Sequence, residues 1–318
     1  LRSPSGPAAT RAARRAQALG AGKLVLMHVV PRLPLEAFTN ILERTPLETE
    51  QKLLDAARAE LAERARRLGE KFGIATGTTV RIGRPYVEIA EEADALDAEL
   101  VVAGPARGAT AEKVLRKSRR PVLVVKQEPL SPYKRLLVPV DFSPSSARAL
   151  DWAQAVAGGA EVTVAHVYEA PYESTLRYAS VEDKVLEGYQ AAARQQAQDA
   201  LRAMLESRRA AGADHAANED PGSHAGTSEA KPEPGADRLR SDSWRGGPGP
   251  KAGETHFLQR LLHGHPAAGI RDLAEELRPD LIVMGKHGQS EIEELLIGSV
   301  TKHVLFETHC DMLVTLAA

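Results

Sequence analysis

Pro279-Asp-Leu-Ile-Val-Met-Gly285 decides the fold. Leu281–Met284 is apolar at every position, as a strand covered on both faces in a parallel sheet requires, and Gly285 ends it. The same pattern stands earlier, as Ala98-Glu-Leu-Val-Val-Ala-Gly104. Working outward from this pair, the correspondences continue in order. Ser3-Pro4-Ser5 returns as Ser143-Pro144-Ser145, and Lys23-Leu-Val-Leu-Met-His28-Val29 as Glu161-Val-Thr-Val-Ala-His166-Val167. Gly83-Arg-Pro85 returns as Gly264-His-Pro266, and Gly108-Ala-Thr-Ala-Glu-Lys-Val114-Leu115 as Gly298-Ser-Val-Thr-Lys-His-Val304-Leu305. Val122-Leu-Val returns as Met312-Leu-Val. Matches in one unbroken order mark a tandem duplication.

Each copy alternates strands with helices. The apolar, β-branched runs predict strands at Leu24–Val30, Leu100–Ala103, Val122–Val125, Leu136–Val140, Val162–Val167, Leu281–Met284 and Met312–Leu316. Thr45-Pro46-Leu47-Glu48 has the cap, first-position proline and third-position glutamate that open a helix. Leu47, Leu54, Leu61 and Leu68 then lie on one stripe of it. Val185, Tyr189, Ala193, Ala197, Leu201 and Met204 do the same in the second copy. The expected fold class is α/β, with two tandem doubly wound, Rossmann-like parallel-sheet domains, residues 1–130 and 131–318.

Composition narrows the function classes. The 318 residues carry 41 basic and 43 acidic side chains, a net charge of -2, which speaks against a polyanion binder such as a nucleic-acid protein. Cys310 is the single cysteine, so there is no disulfide framework and a reducing compartment, the cytoplasm, is expected. No apolar run approaches the roughly 20 residues of a membrane span. Residues 207–254 lack apolar periodicity, with Leu239 and Trp244 nearly the only large apolar side chains, and read as a disordered insertion in which His215 and His224 are solvated.

The chemistry concentrates in Gly285-Lys-His-Gly288-Gln-Ser-Glu-Ile-Glu-Glu-Leu-Leu-Ile-Gly298-Ser299. It joins a strand's C-terminal end to the start of a helix over Val300–Glu307. Glycine permits close backbone approach, and Gly298-Ser299 presents amides and a hydroxyl at a helix amino end that favours an anion such as phosphate. Turn glycines that merely join strand to helix are the alternative reading. Gly285-x2-Gly288-x9-Gly298-Ser299 resembles the nucleotide-binding signature of the universal stress protein family. So do Leu137-Val-Pro-Val-Asp141-Phe-Ser-Pro-Ser-Ser146 and Cys310-Asp-Met-Leu-Val.

The resemblance implies an adenine-nucleotide-binding protein, with ATP, with or without Mg²⁺, as the cofactor. It implies that Asp141 contacts the ribose or phosphate region, although a helix N-cap is its plainer role, with Pro139 and Val140 beside it. It implies that the Val167 backbone reads the adenine edge, where an ordinary core valine is the alternative. It implies that Met284 packs on the nucleotide, where a core methionine is nearly as good a reading. Gly285, His287, Gly288, Gly298, Ser299 and Val300 would cradle the ribose and phosphates, and Lys286 and His287 could add charge there or face solvent. The family's dimerising last strand implies that the two copies pair within the chain through Val122–Val125 and Met312–Leu316, and a homodimer of chains is open.

The first copy departs from this pattern. Aligning Ser3 with Ser143 places Leu1 opposite Asp141, so neither the opening strand nor the acid has a counterpart: the chain is a fragment, or its start is misassigned, or the first copy has a four-stranded sheet. Three residues separate Gly104 from Gly108, where twelve separate Gly285 from Gly298, and Ala109 replaces Ser299. The first copy is expected to bind no nucleotide, and Arg116-Lys-Ser-Arg-Arg120 reads as a solvated helix end. No P-loop, no Ser-Gly-Gly-x-Asp-Ser loop and no Ser/His/Asp or Cys/His set is present, and Cys310 reads as a buried, inert thiol. The leading expectation is a stress-response regulator acting through nucleotide-dependent conformation or contacts with a protein partner. A slow Mg²⁺-dependent ATPase built on Asp141 and Ser299, or a scaffold indifferent to nucleotide, are the alternatives.

Overall fold

The computed structural model describes residues 7–32, 46–104, 109–128, 131–170, 175, 182–217, 257–288 and 297–316. In chain order the elements are α1 (Pro7–Ala18), β1 (Lys23–Val30), α2 (Pro46–Phe72), β2 (Ala75–Ile82), α3 (Pro85–Ala95), β3 (Val101–Ala103), α4 (Ala109–Lys117) and β4 (Val122–Val124). There follow β5 (Arg135–Pro139), α5 (Pro144–Ala157), β6 (Glu161–Tyr168), α6 (Asp183–Ala217), β7 (Phe257–His263), α7 (Pro266–Leu277), β8 (Leu281–Gly285), α8 (Ser299–Glu307) and β9 (Asp311–Thr315).

The fold is α/β, twice over. In the second copy five parallel strands stand in the order β9-β8-β5-β6-β7. Counted within the copy this is 5-4-1-2-3, a doubly wound sheet whose strand order reverses between β5 and β8. Such a reversal opens a crevice at the strands' carboxyl ends, where ligands of this fold class bind. The first copy supplies β3-β4 to the same sheet, through an antiparallel β4–β9 ladder that sets Val124 against Met312. Its β1 and β2 form a separate two-stranded parallel sheet. Among the described residues no strand joins β1 to β3 in the place that β5 takes between β6 and β8.

The two copies share one core. Val114, Leu115, Val122 and Val124 from the first lie with Leu137, Ile282, Met284, Val304, Met312 and Val314 from the second, all buried. Burying one such side chain stabilises the fold by about 1.5–3 kcal/mol, so the β4–β9 seam carries real cohesion. A second core under β1 and β2 gathers Ala13, Leu26, Leu61, Leu68 and Phe72. At the seam Asp311 is fully buried. It accepts from Arg15 Nε at 3.1 Å, the Tyr133 hydroxyl at 3.0 Å and the amides of Lys126 and Gln127 at 2.8 and 3.0 Å. Arg15 also lies 3.9 Å over the Tyr133 ring.

Contacts group residues 1–169 and 247–318 into one compact unit, which holds both copies, and residues 170–246 into another. The second unit contains α6, whose buried residues are Leu186, Ala197, Leu201 and Leu205. Ala197 and Leu201 agree with the predicted stripe, whereas Val185 is 57% exposed and Leu186 takes its place. Helix α6 reaches Ala217, so residues 207–217 are helical where the composition pointed to disorder. Residues 218–254, the remainder of that expected insertion, lie outside the described residues.

Two strands escaped the sequence reading, β2 and β7. Ala75-Thr-Gly-Thr-Thr-Val-Arg-Ile and Phe257-Leu-Gln-Arg-Leu-Leu-His interrupt their apolar positions with polar ones, no residue in either is buried, and each has a strand neighbour on one side only. Among the described residues no helix is long and apolar enough to cross a membrane.

Candidate functional site

The reversal point between β5 and β8 collects the predicted residues. Pro139 ends β5 in register with Ala165, and the Val140 amide donates to the Ala165 carbonyl at 2.8 Å. Backbone groups alternate sides along a strand, so two residues further on the Val167 amide and carbonyl point the same way, past the end of β5. The Val167 side chain is buried against α7, where a Cβ on Gly269 would stand 3.1 Å from it. Its side chain is thus a core valine, and only its backbone faces the crevice.

Asp141 follows β5 and is half-buried. Its Oδ1 accepts from the Ser143 amide at 3.1 Å and from the Ser143 hydroxyl at 2.6 Å. The cap of α5 is Ser143 itself, whose Oγ accepts from the Ser146 amide at 3.2 Å. Asp141 supports that cap from outside the helix rather than forming it. Between them Phe142 has φ +65, a left-handed conformation that costs a non-glycine residue about 1–2 kcal/mol. Its ring lies 4.3 Å from that of His166, whose Nδ1 donates to the Val140 carbonyl at 2.8 Å. The turn is held by its surroundings, as strained backbone at ligand sites commonly is.

The second wall is the glycine loop. A Cβ on Gly288 would stand 2.6 Å from Asp141 Oδ2, so this exposed glycine lets loop and carboxylate meet. Gly285 serves another neighbour. A Cβ there would stand 2.6 Å from Ser145 Cβ and 2.9 Å from its carbonyl carbon, so this glycine admits the first turn of α5. The loop's two ends are pinned together. The Gly298 amide donates to the Lys286 carbonyl at 2.8 Å, the Lys286 amide to Thr315 at 2.7 Å, and Thr301 Oγ1 to the Gly285 carbonyl at 2.9 Å. Residues 289–296, the spacer of the motif, lie outside the described residues.

Gly298 precedes α8, and Ser299, exposed, begins it. A helix leaves its first-turn amides without acceptors of its own, so the N–H groups of Ser299, Val300 and Thr301 have none within α8. The Val300 side chain packs partly on the core. Met284 is a core methionine, 5% exposed. His287 is half-buried beside Gly298, 3.8 Å from a Cβ placed there. Lys286 is 1% exposed and leaves the loop altogether. Its Nζ donates to the Arg116 carbonyl at 2.7 Å. Phe142, His166, Ser143, Ser145 and Thr301 support the site and were not singled out from sequence. Ser143-Pro144, one residue beyond Asp141-Phe142, is a cap signal that could have found Ser143.

Comparison with known proteins follows the same lines. Universal stress protein MJ0531 of Methanocaldococcus jannaschii is 44% identical over 54 residues, 17% of this chain and 32% of its own. The matched part spans about a third of the length of such curated relatives. The crystal structure of a universal stress protein from Archaeoglobus fulgidus DSM 4304 covers 99% of this chain and 94% of its own at 18% identity, with a TM-score of 0.61. A universal stress protein solved in complex with cAMP is 23% identical, with 59% of this chain and 100% of its own covered and a TM-score of 0.33. The Universal stress protein family model matches residues 2–126 and again 132–315, and the chain belongs to that family.

Proposed function

We propose that the second copy, residues 131–318, binds one adenine nucleotide, ATP, and that the chain is a regulator in the stress response whose contacts with a protein partner follow nucleotide occupancy. The first copy, residues 1–130, binds none. The observation that carries this reading is the meeting of Asp141 Oδ2 with Gly288 at the reversal point, on a loop tied to the amino end of α8. A carboxylate there suits ribose hydroxyls, the backbone of Val167 suits a base edge, and helix amides suit phosphate. Pro139, Val140, Gly285, His287, Gly298, Ser299 and Val300 shape the walls, while Met284 supports them from the core.

A Mg²⁺ ion would fit as one carried by the phosphates, with Asp141 as its protein carboxylate. Among the described residues no group of three His, Cys, Asp or Glu side chains could hold a metal without the nucleotide. In the first copy three residues separate Gly104 from Gly108 where twelve separate Gly285 from Gly298, and Ala109 stands in place of Ser299, which supports its silence.

Calorimetry of the full chain with ATP, with and without Mg²⁺, tests the reading, with cAMP as the competing nucleotide. One ATP site per chain, weakened by Asp141→Ala and by Gly298→Val, is the expected result. No binding, or two sites, overturns it. Linear phosphate release lost in Asp141→Ala would instead favour a slow ATPase.

A further inference from the structure

Lys286 occupies the glycine loop, yet its ammonium caps a helix of the other copy. Its Nζ donates to the Arg116 carbonyl at 2.7 Å and reaches that of Ser118 at 3.4 Å, in and just beyond the last turn of α4. Such carbonyls have no intrahelical donors and form the negative end of the helix dipole. The converse contact comes from the first copy. Lys126, just past β4, donates from Nζ to the carbonyls of Leu305 and Thr308 at 2.6 and 2.9 Å and lies 3.3 Å from Thr308 Oγ1. Those atoms close α8, the helix whose amino end faces the loop. Each copy therefore places a lysine on the carboxyl end of the other's last helix, across the β4–β9 ladder.

The backbone of Lys286 is also what closes the loop, through Thr315 on one side and Gly298 on the other. A shift of the Lys286 backbone therefore works against the hold of α4 on its Nζ. A buried lysine is costly in desolvation and side-chain entropy, so the α4 carbonyls are needed to hold it in place. Ser118, 1% exposed, fixes the turn that offers one of them. Its Oγ donates to the Arg120 carbonyl at 2.8 Å and accepts from the Arg120 amide at 3.0 Å.

We infer that Lys286 is a positioning residue through which the first copy sets where the described ends of the glycine motif, Gly285–Gly288 and Gly298, stand, and that nucleotide occupancy beside them is felt at the last turn of α4. The inference rests on the nucleotide reading above and adds to it a task for the silent copy. Coupling of this kind is reciprocal, so a change at α4 alters affinity at the loop.

The test uses the full chain with ATP as the probe, in wild type, Lys286→Met, Ser118→Ala and the double variant. Methionine keeps the length of the stem and removes the charge, while Ser118→Ala loosens the turn without touching the loop. Lys286→Met should weaken ATP binding about tenfold and Ser118→Ala about threefold, with the double variant no weaker than Lys286→Met, because both act through one contact. Hydrogen exchange should show ATP protecting residues 114–120 in the wild type and not in Lys286→Met. Wild-type affinity in Lys286→Met, or losses that multiply to about thirtyfold as independent sites would, overturns the inference. If the wild type takes up no ATP, the nucleotide reading falls, and the positioning role is read in the nucleotide-free protein. Faster exchange at residues 285–288 in Ser118→Ala then supports it, and unchanged exchange there overturns it.

Discussion

Two glycine-to-alanine changes in one loop should fail in opposite ways. In Gly285→Ala the new Cβ stands 2.6 Å from Ser145 Cβ and 2.9 Å from the Ser145 carbonyl carbon. Unbonded carbons rest at about 3.5–4.0 Å, so β8 and the first turn of α5 must part by about 1 Å. Neither side is free to move. Gly285 lies opposite Thr315 in the β8–β9 ladder, and Thr315 Oγ1 holds the Ser145 carbonyl at 3.2 Å. Overpacking of this kind costs about 1–3 kcal/mol, and for a domain of this size each kcal/mol lowers Tm by about 2–4 °C. In Gly288→Ala the Cβ stands 2.6 Å from Asp141 Oδ2 but 3.9 Å from its Cγ. A small rotation of the carboxylate relieves that clash and weakens its bonds to Ser143, at about 0.5–1.5 kcal/mol.

Gly285→Ala should thus lower Tm by roughly 2–12 °C, while Gly288→Ala should lower it less and weaken ATP binding about tenfold. Thermal denaturation and calorimetry on the two variants give both readouts. A Gly285→Ala protein as stable as the wild type would refute the packing argument. A Gly288→Ala protein with wild-type affinity would refute the placement of the nucleotide against Asp141.

Asp141→Asn keeps the shape and removes the charge. ATP binding should fall at least about tenfold while Tm changes little, since Ser143 still caps α5. Asp311→Ala strands the buried Arg15 and strips acceptors from Tyr133, Lys126 and Gln127, so urea denaturation should show a loss of about 3–5 kcal/mol. Burial pushes the Cys310 thiol from 9.0 up to about 11. The folded chain then keeps a proton that the unfolded chain loses, so its contribution is whole below pH 9 and lost as pH rises toward 11. The loss is about 1.4 kcal/mol per pH unit. In Cys310→Ala the fall of stability between pH 9 and 11 should flatten, and an unchanged slope would assign it to other groups.

The local text carried a great deal. Apolar runs such as Leu281–Met284 need cover on both faces wherever they occur, so strand type and sheet class follow from composition and period alone. The duplication and the shortened spacing between Gly104 and Gly108 are likewise properties of the string. Strands β2 and β7 were not legible, because Thr76, Thr78, Thr79 and Arg81 in the one and Gln259 and Arg260 in the other interrupt the apolar run. Side-chain destinations were not legible either. Nothing beside Lys286 tells that its ammonium ends at Arg116, a partner 170 residues away in the chain. Nothing beside Gly285 tells that it admits α5, whereas Gly288 admits the Asp141 carboxylate. Period and composition act over a few residues, and they determined the elements. Which atoms meet across the β5–β8 crevice and the β4–β9 seam depends on how distant strands return to one sheet, and only the tertiary structure decided that.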